Sequence, residues 1–141
     1  MNDSNAFARW RAAAPYLLSI LRILCGLLFF VLGLSKLFAV PVPAMPDGST
    51  FPLTSITGVA GVLELVGGAL LILGLFTRTT AFILSGMMAV AYFKYHAPTS
   101  FWPMVNQGHP AILFCFIYFY MSAAGGGPWS VDAMRERSPS S

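Results

Sequence analysis

Residues 61–78, GVLELVGGALLILGLFTR, place one carboxylate, Glu64, inside a run otherwise fit only for lipid or protein interior. A charge near the centre of a bilayer costs about 2.5 to 17 kcal/mol, so such a group faces a helix bundle, takes a partner and serves a purpose. On a helix, Glu64, Gly68, Leu71, Leu75 and Arg78 share a narrow stripe, with Gly67 and Gly74 at its edge. That face is small, glycine-rich and acidic. Small residues let two membrane helices approach closely where no hydrophobic force drives them together. The stretch therefore predicts a membrane helix packed closely on a neighbour that carries a cation.

Working outward, the whole composition agrees. Of 141 residues, 57% are hydrophobic and only 9% charged, and the mean hydropathy is +0.73. A single soluble domain of this length would carry more charge, so the chain reads as all-α and integral to a membrane. The formal charge of +3 sits mostly at segment ends, where it bears on membrane topology and not on nucleic acid. Cys25 and Cys115 each stand alone in an apolar run, without the CxxC spacing of redox exchange.

Toward the N-terminus, residues 1–14 form a short polar lead with Arg9, Trp10 and Arg11. Pro15 suits a helix start, and a first span is predicted over 15–38. A signal peptide is the competing reading, with Arg9 and Arg11 as its basic region and Ala44 near a cleavage site. The apolar run is long for that role, and Arg22 would sit badly in it. Residues 39–55 hold Pro41, Pro43, Pro46, Gly48 and Pro52, a loop outside the membrane. Further spans are predicted over 56–76, 79–95 and 109–124, the last short for a crossing. Residues 97–108, rich in proline, glycine and aromatics, suit an interfacial loop, and residues 128–141 a polar tail whose last residues are expected to be mobile.

Four spans make a four-helix bundle with both termini on one side. Arg9, Arg11, Arg78, Arg135 and Arg137 against Lys36 and Lys94 assign that side to the cytoplasm. On the first span Arg22, Gly26, Phe29, Gly33 and Lys36 share a face that mirrors the Glu64 face. With about 1.5 Å rise per residue, Arg22 lies roughly 9 Å in from Tyr16 and Glu64 roughly 18 Å in from Phe76. Arg22 is the preferred partner of Glu64. Lys36 either reaches down to Glu64 from the outer end or snorkels to the interface. The three residues outline an intramembrane polar pocket, set against the alternative of an ion pair that fixes helix register alone.

His96, Asn106 and His109, with Gln107, gather polar groups at the outer ends of the third and fourth spans. Two histidines without cysteine or carboxylate alongside are a poor metal set, and no metal is expected. His109, at a helix entrance, either titrates near neutral pH or caps that end. No nucleophile with its base, phosphate-cradling loop or haem motif is present, so no catalytic residue and no cofactor are assigned.

Four segments, R-I-L-x-G-L-L-F at 22–29, G-L-S-K-L at 33–37, L-E-L-V-G-G-x-L-L-x-L-G-L-F-T-R at 63–78 and G-G-P-W-S-V-D at 126–132, occur in the order and spacing of the DoxX family. The chain resembles these small four-helix proteins of the bacterial inner membrane over about residues 22–132. Where that family tends to carry a glutamate after N-x-G, His109 stands here, so no role is carried over to it. The resemblance implies redox-linked relatives, among them a thiosulfate:quinone oxidoreductase subunit and a membrane complex handling oxidative stress. Three functions follow as expectations. The first is a non-catalytic membrane subunit or scaffold of a larger complex, with a membrane-protein partner or a second copy. The second is a protein that binds a quinone or small sulfur compound in a cavity lined by Lys36 and Glu64. The third is a pathway for protons or small solutes. A cavity at the depth of Glu64 distinguishes the second from a filled scaffold.

Overall fold

The computed structural model describes residues 3–137, and within them every regular element is helical. The elements are α1 (Asp3–Ala12), α2 (Ala14–Phe38), α3 (Ile56–Leu73), α4 (Thr77–Ala91), α5 (His109–Ala124) and α6 (Val131–Arg137), with a π-helical turn over Tyr92–His96 after α4. Two stretches, Asn5–Phe38 and Ile56–Leu73, are long and apolar enough to cross a membrane. His109–Ala124 is a shorter apolar helix. The mobility expected of the last tail residues falls on 138–141, outside the described residues.

Close packing follows from glycine. A Cβ placed on Gly33 would lie 2.5 Å from the backbone nitrogen of Leu65, and one on Gly68 would lie 2.5 Å from that of Phe30. No side chain fits there, so α2 and α3 meet backbone to backbone. Their register is antiparallel: Gly26 lies against Gly68 and Ile72, Gly33 against Leu65, and Lys36 against Gly61. The glycines of the first two spans thus serve internal packing.

Aromatic and hydroxyl side chains set the other neighbours. Phe29 of α2 meets Tyr118 edge-on at 5.1 Å or less from two α5 rings, 4.8 Å for Tyr118 and 5.1 Å for Phe114, and the Tyr118 hydroxyl donates to the Cys25 carbonyl at 3.2 Å. Between α4 and α5, the Ser85 hydroxyl donates to the Cys115 carbonyl at 2.8 Å. Leu84 of α4 lies against Gly67 of α3. The core is therefore Cys25, Phe29, Leu71, Leu84, Tyr118 and Met121, with Ala81 beside them. The outward faces are apolar as well: Leu24, Leu27, Leu28, Phe82, Leu113 and Phe116 are all exposed. An apolar exterior around a packed interior is the pattern of a surface that meets lipid or another protein.

The second span differs from its expected end. Helix α3 stops at Leu73 and not at 76, because Gly74 takes φ +67°, a left-handed conformation that glycine adopts at low cost. Phe76 is also left-handed, at φ 51°, and α4 begins at once with Thr77. Two reversals within three residues make the tight turn.

The Gly33→Ala variant is expected to lower the thermal midpoint in mild detergent, at a cost of about 1–3 kcal/mol, because the methyl overpacks the seam. Gly86, exposed on α4 with nothing near its missing Cβ, is the control. Gly86→Ala should leave the midpoint unchanged or raise it slightly. Equal effects at the two positions would refute close contact at Gly33.

Candidate functional site

The site starts from the register that the glycines impose. With Lys36 opposite Gly61, one helical turn further along α3 carries Glu64 to the Lys36 ammonium. Lys36 Nζ donates to Glu64 Oε1 at 2.6 Å, an ion pair. Glu64 is 2% exposed, while the lysine side chain is 22% exposed. The second carboxylate oxygen, Oε2, is buried and receives no hydrogen bond from any described residue.

This arrangement corrects the expected pairing of Arg22 with Glu64. Arg22 is fully buried, but its partners are backbone carbonyls at the end of α3 and in the segment after α5. Nη1 donates to Leu71 O and, at 2.9 Å, to Ile72 O. Nε donates to Gly126 O at 2.8 Å and Nη2 to Trp129 O at 2.6 Å. The physical reason is the early end of α3. The last carbonyls of a helix have no intrahelical donor, and a guanidinium carries five donors in a planar fork. Arg22 lies level with those carbonyls, nearly two helical turns from Glu64 along α3.

The same region holds a device that local patterns in the sequence do not show. Helix α4 has no cap from its own flank. Asp132, 56 residues on, supplies it: the Phe76 amide donates to Oδ1 at 2.9 Å and the Thr77 amide to Oδ2 at 2.8 Å. The Asp132 amide in turn donates to Gly74 O at 3.0 Å. Partial burial raises the Asp132 carboxyl, but the Thr77 and Phe76 amides and nearby Arg135 outweigh it and hold the group below its ordinary value. The one available signal was an acid in the Ser-Val-Asp that follows the glycines, together with an uncapped helix start at Leu75 and Phe76.

Beside the ion pair lies a cavity of about 580 Å³ between α2, α3, α4 and α5. Its walls are mostly apolar, including Phe29, Leu63, Met87, Met88 and Phe114, and its polar groups include Lys36, Glu64 and His96. His96 ends the π-helical turn, a distortion frequent at functional sites. Its Nδ1 lies 2.9 Å from the Asn106 carbonyl, and its ring stacks on Tyr92 with centroids 6.4 Å apart. Asn106 is buried and held at both ends of its amide, with Nδ2 donating to Ser100 O at 2.8 Å and Oδ1 accepting from the Gly108 amide at 2.7 Å. Of the expected outer-face group, His96 and Asn106 come together. His109 is exposed and does not line the cavity.

A wider cleft, about 1020 Å³, opens at the α6 end and is lined in part by Tyr16, Arg78 and Asp132. Two of its charged groups are committed. Arg78 donates to the Ser122 and Ala123 carbonyls at the end of α5, and Asp132 caps α4. The smaller cavity is the better candidate because it alone adjoins a buried charge with an unused acceptor. Among the described residues no cluster of three or more His, Cys, Asp or Glu side chains could hold a metal.

The DoxX family model matches residues 17–97, which include the Arg22 anchor, the Lys36–Glu64 pair and His96. The chain belongs to the DoxX family. An uncharacterized protein of Haemophilus influenzae is 40% identical over 121 residues, spanning 84% of this chain and 90% of that protein. No solved structure matches the chain significantly. DoxX membership and the long apolar helices together indicate a membrane protein.

Two outcomes test this DoxX architecture. Arg22→Met should cost roughly 3 kcal/mol, since each stranded carbonyl costs about 1–3 kcal/mol, and should expose residues 126–137 to protease. Arg22→Lys should recover only part, because an ammonium lacks the fork; an intact tail and an unchanged thermal midpoint in Arg22→Met would rule out the anchor. The Asp132 cap carries a pH signature. Because the folded value is depressed, its contribution is complete above the ordinary carboxylate value of about 3.9 and is lost as pH falls through the lower folded value. Acid titration of thermal stability should show that loss in the parent and a weaker one in Asp132→Asn.

Proposed function

We propose that this DoxX protein spans the bacterial inner membrane as a four-helix bundle of α2 to α5, with both termini cytoplasmic, and holds a small molecule in the cavity beside Lys36 and Glu64. The molecule is largely apolar with a polar head. It enters from the bilayer or the outer face, and the chain acts as the ligand-holding, non-catalytic subunit of a larger redox-linked assembly.

One observation carries the reading: a buried carboxylate with an unused oxygen stands on the wall of an otherwise apolar cavity of about 580 Å³. That volume falls in the range of small-molecule sites, which are mostly apolar with a few placed polar groups. A pair that only fixed helix register would be expected in a filled interior. Gly26, Gly33 and Gly68 are used within the chain, in the seam between α2 and α3. Redox-linked relatives implied by the family resemblance make a quinone the first molecule to try.

The test uses the full chain in lipid nanodiscs, titrated with a short-chain benzoquinone and its quinol by calorimetry. Saturable binding is expected, weakened at least about tenfold in Lys36→Met, a change that strands the carboxylate and alters the head site. Enlarging a wall residue, Ala111→Phe, should also abolish binding while the protein still accumulates. Absence of saturable binding of either form to the parent chain would overturn the proposal.

A further inference from the structure

We infer that the cavity takes an uncharged ligand whose polar head is a hydrogen-bond acceptor, a carbonyl on an apolar body, and that the Lys36 ammonium is the donor that meets it. This rests on the cavity reading above and goes beyond it by naming the contact and the chemistry of the head.

An ammonium has three N–H groups and no acceptor. Among the described residues Lys36 Nζ donates to one partner, Glu64 Oε1 at 2.6 Å, so donor capacity is left over. Lys36 lines the cavity, and its side chain is 22% exposed where that of Glu64 is 3%. The other carboxylate oxygen, Oε2, is buried. The member of this pair within a ligand's reach is therefore the ammonium, and what it offers is a donor. An acceptor brought to it makes a charge-assisted hydrogen bond, the stronger kind.

The same pair sets the charge of the head. Glu64 already balances Lys36, and two oxygens held by one nitrogen lie within about 5 Å of each other. A carboxylate head would stand against the Glu64 carboxylate at that separation, where like charges oppose each other's ionisation. A carbonyl takes a spare N–H and adds no charge. The rim agrees with this. Leu32, Ile56, Val59 and Val90 line the cavity and are exposed apolar side chains, and an apolar rim admits an uncharged molecule at lower cost than an ion.

The body follows from the spacing along α2. Lys36 and Phe29 both line the cavity and stand seven residues apart, about 10 Å along the helix axis. Phe29 and Phe114 contribute rings to the wall, and Met87 and Met88 contribute flexible thioethers, a lining that packs well on a flat ring. A single six-membered ring with a carbonyl at its edge fits within that interval.

Three probes decide it, on the full chain in lipid nanodiscs with empty nanodiscs as the reference for partition into lipid. They are duroquinone; hexamethylbenzene, which puts methyl groups where duroquinone has carbonyl oxygens; and tetramethylbenzoate, which is anionic. Duroquinone should bind at least about tenfold more tightly than either other probe, the size expected of one hydrogen bond to a charged group. The infrared carbonyl stretch of isotope-labelled duroquinone should move to lower wavenumber on binding. That shift should disappear when Lys36→Met is combined with Glu64→Gln, which removes the ammonium and strands no carboxylate. Equal binding of duroquinone and hexamethylbenzene, or a carbonyl band unshifted from its position in lipid, would overturn the acceptor head. Equal or tighter binding of tetramethylbenzoate would overturn the uncharged head, and a shift that persists in the double variant would overturn Lys36 as the donor. Each of these outcomes leaves the cavity reading standing, whereas failure of all three probes to bind would remove both. The probe series and the band of the parent chain need no variant, so they remain decisive even if the double variant does not fold.

Discussion

The Arg22 guanidinium is the contact on which the rest of the arrangement hangs. It is buried, it makes no hydrogen bond to a carboxylate among the described residues, and it donates instead to the backbone carbonyls of Leu71, Ile72, Gly126 and Trp129. Those carbonyls belong to two segments, the last turn of α3, where Leu71 O also accepts from the Gly74 amide, and the stretch after α5, where Gly126 O also accepts from the Ser19 hydroxyl. A single side chain of α2 thereby ties both to itself. Glycine then does for the helix axes what arginine does for their ends, since the contacts at Gly33 and Gly68 leave no room for any other register.

From that register the polar site follows. Once Gly26 faces Gly68 and Gly33 faces Leu65, Lys36 must stand beside Glu64, and the carboxylate has one oxygen on the ammonium and the other buried with no hydrogen bond from any described residue. The cavity exists because α2 and α3 pack on glycines while the neighbouring walls are built of larger side chains from α4 and α5. Closing it would require bulk at small positions such as Ala60, Ala91 and Ala111. A site formed in this way needs no loop to create it. The π-helical turn adds His96 at one side, and the Asn106 carbonyl lies against its Nδ1.

The C-terminal segment illustrates a second kind of dependence. Asp132 caps a helix that begins 55 residues earlier, and Ser19, Arg22 and Gly74 all bond to residues 126–132. A stretch of glycine, proline and serine reads locally as a tail, because its composition favours no regular element. Its order comes from partners elsewhere in the chain. Likewise, helical periodicity showed that Arg22, Lys36 and Glu64 lie on facing stripes, but a stripe has no depth. Which cation met the acid depended on where α3 stopped and how far the helices slid past each other. His109 was grouped with His96 and Asn106 by nearness in the chain, whereas the turn at Gly108 leaves it on the surface.

Hydrophobic composition and period are properties of the chain itself, so the sequence alone determined that the protein is helical, largely apolar, and carries a carboxylate and two cations on mirrored small-residue faces of its first two long helices. It also determined membership of the DoxX family through the order of its segments. Pairing, register and enclosure are properties of distances between segments, and only the tertiary structure decided them. Arg22 took carbonyls and not Glu64, Lys36 took the acid, and a cavity was left beside the pair, because backbone contact at glycine sets helix depth to within a turn and no periodicity encodes that depth.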